Sequence, residues 1–194
     1  ARLYAAWREP VIEPQHQQPL RALLERRLAR EPLAYIVGRW EFFGLEFAVD
    51  PRVLIPRPET ELLVEQALQI ALAQPHRGVC SIADVGTGSG AVAIALGTYL
   101  PQATIYATDI SPEALEIARE NCRQHGLDER ITTLRGDLLE PVPSLVDLVI
   151  SNPPYVRDDD LALRDPELER EPEVAFRGGP EGLDVVKRLL TQAA

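Results

Sequence analysis

From residue 79 onward, short β-branched apolar runs alternate with stretches of helical periodicity, and this alternation constrains the fold more than any other feature. Residues 79–85, 104–108, 131–134 and 146–151 read as strands. Helices fit at residues 90–99, 112–125 and 182–192. Strand–helix repetition of this kind predicts an α/β fold with a parallel central sheet, wound right-handedly. Ligands of such sheets bind outside the carboxyl ends of the strands. That edge is therefore where chemistry is expected.

The preceding part has a different pattern. Residues 1–18 have few periodic apolar positions and read as a tail or the frayed end of something larger. Leu20, Leu23, Leu24 and Leu28 mark one face of a helix opened by Pro19 and closed by Pro32. Residues 33–56, aromatic and β-branched around Gly38 and Gly44, read as a β-hairpin linker. A helix over residues 59–73 follows Pro56-Arg57-Pro58, with Thr60 placed to cap it. This divides the chain into residues 1–32, a hairpin linker over 33–56, and an α/β domain over 57–194. Residues 157–181 form an acidic, proline-rich loop, and loops of that length are usually functional or disordered. No methionine occurs among the 194 residues, so Ala1 is not an initiator and the chain is expected to be cut or processed at its start.

The first strand runs into Asp84-Val85-Gly86-Thr87-Gly88-Ser89-Gly90-Ala91, and a helix follows. Glycines there permit a tight turn and a close approach of ligand to backbone. The next strand ends at Asp109, where an acid accepts hydrogen bonds from both hydroxyls of a ribose. The loop also matches a dinucleotide fingerprint, in which the helix N-terminus holds a pyrophosphate. Two residues favour S-adenosyl-L-methionine over a dinucleotide. Asp84, ahead of the glycines, is placed to meet the cationic end of a methionine moiety and would repel a pyrophosphate. Asp137, in Gly136-Asp137-Leu138, is placed to accept from an adenine amino group, or else serves as a loop or cap aspartate.

The fourth strand ends in Ser151-Asn152-Pro153-Pro154-Tyr155. An NH2 group on an amide or a nucleobase is a poor nucleophile because its lone pair is delocalised. Two fixed acceptors, the Asn152 side-chain oxygen and the Pro153 carbonyl, would take its two N–H bonds and aim the lone pair at a methyl donor. The prolines fix φ and reduce the reorganisation needed during reaction. Tyr155 would pack against the planar group.

Taken together, these motifs resemble class I amino-methyltransferases. The stretches Glu31–Gly38, Glu41–Leu45 and Val53–Glu61, with Glu171-Pro172 and Gly178-Gly179-x-x-Gly182-Leu183-Asp184, resemble the release-factor glutamine methyltransferases, the PrmC/HemK family. The resemblance covers most of residues 19–190. It implies a Rossmann-like fold and methyl transfer from S-adenosyl-L-methionine to the glutamine amide of a release factor's Gly-Gly-Gln motif. It implies cofactor contacts from Gly86, Thr87, Gly88, Ser89, Gly90, Asp109, Asp137 and Leu138, and Asp84, Ile110 and Asn152 join them as candidate cofactor contacts. It implies that Asn152, Pro153, Pro154 and Tyr155 grip the glutamine, with Phe42 and Arg57 lining the site. Against the family's N-terminal helical bundle and seven-stranded sheet, only a last bundle helix and four strands are expected here, with the C-terminal strands missing.

Composition weighs on the alternatives. The formal net charge of −10 counts against a DNA or RNA amino-methyltransferase, which would present a basic groove. An NAD-type oxidoreductase gives no role to Asn152. A non-catalytic cofactor-binding module is the third alternative. No apolar run approaches the roughly 18 residues of a membrane span, and the N-terminus given does not read as a basic-then-apolar signal peptide, so a cytoplasmic protein without membrane partners is expected. Cys80 and Cys122 sit in apolar-periodic segments and are expected as core thiols. Neither they nor the three histidines suggest a metal site.

Overall fold

The computed structural model describes residues 13–73 and 80–194. The first twelve residues of the expected tail over residues 1–18 and the start of the first strand at Val79 lie outside the described residues. The elements are α1 (Pro14–Leu28), α2 (Leu33–Val37), β1 (Arg39–Phe42), β2 (Leu45–Ala48), α3 (Glu61–Leu72), β3 (Ser81–Val85), α4 (Ala91–Tyr99), β4 (Thr104–Asp109), α5 (Pro112–Gln124), β5 (Ile131–Arg135), β6 (Leu148–Ser151) and α6 (Asp184–Ala193).

Strands β3 to β6 form one parallel sheet in the order β5-β4-β3-β6. This is the expected α/β Rossmann-like arrangement. Strand β3 is central because Ile82, Ala83, Asp84 and Val85 are all buried, as a strand covered on both faces must be. Helix α4 is buried all round from Ala91 to Gly97, which explains why its sequence lacks a polar face. The chain leaves β3 towards β4, but β6 returns to the other side of β3. The crevice between the carboxyl ends of β3 and β6 is thus the switch point at which such sheets bind ligands.

The hairpin of β1 and β2 turns at Phe43-Gly44, both with positive φ, and packs into the same core as α3 and α4 through Phe42, Phe47 and Val49. Asn121, fully buried on α5, ties it to the glycine loop. Its Nδ2 donates to the Ala48 carbonyl (3.1 Å) and the Ser89 carbonyl (2.8 Å), and its Oδ1 accepts from the Ala48 N–H (2.8 Å).

Three local expectations need correction. Helix α1 begins at Pro14, not near Pro19, and Pro19 lies inside it. Proline suits the first helical position, and one turn further in it forfeits a single backbone bond. The segment opening the hairpin linker contains α2, which Gly38 ends in a left-handed cap. Thr60 does not cap α3, because the 3₁₀ turn Pro58–Thr60 runs straight into it and the threonine side chain makes no cap bond.

The loop over residues 157–181 is ordered by a closed stem. Val156 N–H donates to the Phe176 carbonyl and Gly178 N–H to the Val156 carbonyl, each at 2.8 Å. Gly179 sits at φ +87°, and a Cβ there would meet the Asp184 carboxylate at 2.1 Å. That is why glycine is needed where the loop turns into α6. No helix among the described residues is long and apolar enough to cross a membrane.

Candidate cofactor and acceptor site

Internal hydrogen bonds pin the glycine loop. The N–H groups of Gly86 and Thr87 both donate to the Thr108 carbonyl at 2.9 Å, locking the loop to β4. Asp109, at the end of β4, accepts from Gly88 N–H through Oδ2 and from Ser111 N–H through Oδ1, each at 2.9 Å. Burial pushes its carboxyl above the usual range, while these backbone bonds oppose the shift. Each oxygen keeps a lone pair for a further donor.

A cavity of about 450 Å³ opens beside this loop, at the switch point of the sheet. Gly86, Gly88, Asp109, Ile110, Asp137, Leu138, Asn152 and Pro154 line it, as the sequence led us to expect of a shared site. Leu138 is held at φ +53°, an unfavourable conformation for leucine. Its carbonyl accepts from the Thr108 hydroxyl at 2.9 Å, which secures that conformation. Asp137 is paired with Arg188 on α6, and Arg188 itself lines the cavity. Asn152 Nδ2 donates to the Thr60 Oγ1 at 3.2 Å, which leaves Oδ1 to accept.

Other expected site residues stand elsewhere. Asp84 is buried and turned inward, accepting from the Thr87 hydroxyl at 2.6 Å and the Ala93 N–H at 3.1 Å. It completes the loop and the first turn of α4, and neither it nor Thr87, Ser89 or Gly90 lines the cavity. Gly90 serves packing, since a Cβ there would stand 3.2 Å from Ile94 Cδ1 and 3.4 Å from Ala118. Phe42 is a core residue, 1% exposed and edge-on to Phe47. Arg57 does not line the cavity either. It binds Glu171, whose other carboxylate oxygen accepts the Ile55 N–H at 2.9 Å. Pro153 lies between two lining residues, and Tyr155 is 67% exposed with its side chain outside the lining.

Sequence reading missed Thr60, Glu171 and Arg188 as partners of the site. Glu171 is the clearest case, because it is 5% exposed within an otherwise solvated acidic loop. It fastens that loop to the segment after the hairpin. Glu171→Ala is expected to cost about 2–4 kcal/mol, since Ile55 N–H and Arg57 both lose their acceptor. Glu171→Gln should cost less, and the shift in denaturant midpoint measures both.

Asp84 makes stability depend on pH. An aspartate in an unfolded chain titrates near about 3.9, whereas burial pushes Asp84 up to about 6. Between these values the folded state binds more protons than the unfolded state. Its contribution to stability is therefore present at low pH and lost as pH rises through about 6. Asp84→Asn is expected to remove a slope on the order of 3 kcal/mol in total, read from urea unfolding between about pH 4 and 7.

Comparison with known proteins bears directly on this site. A family model described as the methyltransferase small domain matches residues 60–165, from Thr60 past Asn152. The chain belongs to that family. A second model, the PrmC N-terminal domain, matches residues 1–38. The chain is 47% identical over 172 residues to a release factor glutamine methyltransferase of Moorella thermoacetica, covering 88% of this chain and 60% of that protein. It is 43% identical over 194 residues to a protein of the same name from Geobacter sulfurreducens, covering 99% of this chain and 65% of that protein. A ribosomal protein uL3 glutamine methyltransferase of Bradyrhizobium diazoefficiens is 42% identical, covering 87% of this chain and 55% of that protein. The chain thus spans less than two thirds of the length of these relatives. Among solved structures, the hMettl16 catalytic domain in complex with a MAT2A 3′UTR hairpin superposes with a TM-score of 0.61 at 22% identity, covering 84% of this chain and 60% of that one. That likeness speaks to fold alone, and it agrees with the class I methyltransferase architecture.

Proposed function

We propose that the chain carries the catalytic site of an S-adenosyl-L-methionine-dependent methyltransferase acting on the side-chain amide of glutamine in the Gly-Gly-Gln motif of peptide-chain release factors. The observation that carries this reading is the position of Asn152. Its amide stands on the wall of the cavity that Gly86, Gly88 and Asp109 also line, with its oxygen left to accept.

The residues present fit the cofactor. At Gly86 and Gly88 an added Cβ would meet nothing within 4 Å, so both leave open space along the cavity where a ligand can lie against the backbone. Asp109 retains an acceptor lone pair on each oxygen for the two ribose hydroxyls. Ile110 and Leu138 supply apolar walls, and the Asp137 oxygen not engaged by Arg188 is the acceptor proposed for an adenine amino group. When bound, S-adenosyl-L-methionine supplies an electrophilic methyl group on a sulfonium.

The chain's own contribution is to shape the acceptor. The Asn152 oxygen and the Pro153 carbonyl take the two N–H bonds of the glutamine amide. This draws its nitrogen towards a pyramidal form and turns the lone pair to the methyl group. Pro153 and Pro154 hold both acceptors on a stiff backbone, so little reorganisation accompanies the reaction. The methylated nitrogen is left positive and loses its proton readily, so a strong base is not required. Residues 57–194 form the proposed cofactor domain, and residues 1–32 belong to the part that docks the protein substrate.

The names of the relatives favour glutamine over a nucleobase, and the net charge of −10 points the same way. We place the activity in the cytoplasm, with no direct nucleic-acid partner. The test is to incubate the full-length gene product with methyl-labelled cofactor and three acceptors: a release factor, ribosomal protein uL3 and nucleic acid. Label on the Gly-Gly-Gln glutamine is expected. Label on uL3 alone would move the substrate while keeping the chemistry, and label on nucleic acid alone would overturn the reading.

A further inference from the structure

Thr60 lies 92 positions before Asn152 in the chain, yet its hydroxyl is the group that the Asn152 amide nitrogen meets. A threonine at the entry to α3 would ordinarily cap the helix. Here its side chain makes no cap bond, and the turn before α3 closes through the backbone alone, Thr60 N–H to the Arg57 carbonyl at 3.0 Å. The hydroxyl is therefore not engaged by the helix and is directed to the site.

Resting on the reading that Asn152 accepts from a planar NH2 group, we propose that Thr60 is a positioning residue that holds the Asn152 amide by its nitrogen while Oδ1 faces the acceptor. The two ends of an asparagine side chain are nearly identical in shape and opposite in polarity. With Oδ1 towards the cavity, the side chain accepts from the substrate. With Nδ2 there, two donors oppose one another and no bond forms. A hydroxyl can serve either end of the amide, so Thr60 alone does not force the choice. Opposite a substrate NH2, however, only one arrangement satisfies every group: Oδ1 on the substrate and Nδ2 on Thr60. The hydroxyl thus completes the productive arrangement by taking Nδ2, while the substrate NH2 itself opposes the other one.

Both partners sit on stiff segments, as a positioning pair must. Two prolines follow Asn152. Thr60 is framed by the Arg57–Glu171 pair on one side. On the other, the Glu61 carboxylate accepts the Phe43 N–H at 2.8 Å.

The test uses the full-length gene product and whichever NH2 acceptor the unmodified protein methylates. Thr60→Val, close in shape but without the oxygen, is expected to lower kcat about 10-fold. Its KM for the acceptor and its cofactor affinity should stay within about twofold. Thr60→Ser restores the oxygen and is expected to recover most of the rate. In an Asn152→Ala background, where residual transfer is followed with radiolabel, adding Thr60→Val should change the rate less than about twofold, because its effect passes through Asn152. Wild-type kcat in Thr60→Val would overturn the proposal. So would a Thr60→Ser variant as slow as the valine, or a full 10-fold loss repeated in the Asn152→Ala background. Should valine impair folding, seen as a lowered melting temperature, Thr60→Ala takes its place in the same comparison. An unmodified protein that methylates no NH2 acceptor would overturn the functional reading, and this inference with it. An active wild type with an indifferent Thr60→Val overturns this inference alone.

Discussion

Asn152→Ala is expected to lower the rate of methyl transfer roughly 10²- to 10³-fold, the scale seen when a preorganised polar group at a reacting centre is removed. Cofactor affinity should stay nearly intact, because the proposed cofactor contacts of Asp109, Gly86 and Gly88 do not involve Asn152. Two effects compete in such a variant. Truncation removes an acceptor that matters most as the amide nitrogen pyramidalises, which lowers kcat. It also opens space on the cavity wall, which would loosen substrate and raise KM. The first should dominate, since the bond to the reacting nitrogen strengthens along the reaction while the lost contact area is a few atoms. Single-turnover rates at saturating acceptor, alongside calorimetry of cofactor binding, separate the two. A variant with wild-type kcat and weakened cofactor binding would reassign Asn152 to the cofactor.

How much of this was legible in the sequence depends on what kind of constraint each residue obeys. The strands, the glycine loop and the placement of Asp109 and Asn152 at the carboxyl edge were readable because backbone geometry dictates them. Alternating periodicity locates the carboxyl edge of the sheet, and residues just past a strand end must project there. Side-chain direction is a different matter. Asp84 was expected to face a ligand because it adjoins the glycines. It faces inward because Thr87 and Ala93 offer buried donors that would otherwise lack an acceptor. Arg57 and Phe42 lie in stretches that resemble the family, yet one is spent on Glu171 and the other on the core.

The partners that were missed share a cause. Thr60 with Asn152, Ile55 with Glu171 and Asp137 with Arg188 are separated by 92, 116 and 51 positions. Periodicity is a local property and carries no information about pairs so far apart. The long acidic loop illustrates the point. Its composition reads as solvated, and only the tertiary fold reveals that Glu171 in it is a buried anchor. Helix α1 is the opposite case, in which a local rule misled. Pro19 reads as a start signal, but the exposed helix tolerates it inside because only one backbone bond is lost.

Asp109→Ala is expected to weaken cofactor binding about 100-fold or more, the second large effect. In the proposed site the carboxylate would offer a charge-assisted bond to each ribose hydroxyl, and bonds to charged groups contribute about 1.5–3 kcal/mol apiece. Losing two such bonds outweighs any gain from a roomier pocket. The carboxylate also holds Gly88 N–H and Ser111 N–H, so alanine frees both ends of the site: the glycine loop and the entry to α5. Those donors lie on a half-exposed segment where water can replace the lost acceptor, so the stability cost should be smaller than the binding cost. Asp109→Asn separates the roles. One oxygen still accepts, but the amide NH2 opposes one of the two backbone donors, and the charge is gone. Affinity should therefore fall between wild type and alanine, with a melting temperature no higher than that of wild type. Burial raises the carboxyl's pKa while ribose binding favours its charged form. Wild-type affinity should accordingly weaken as pH falls, and the asparagine variant should lose that dependence. Calorimetric titration with S-adenosylhomocysteine across pH measures both effects, and equal affinities in all three proteins would remove Asp109 from the cofactor site.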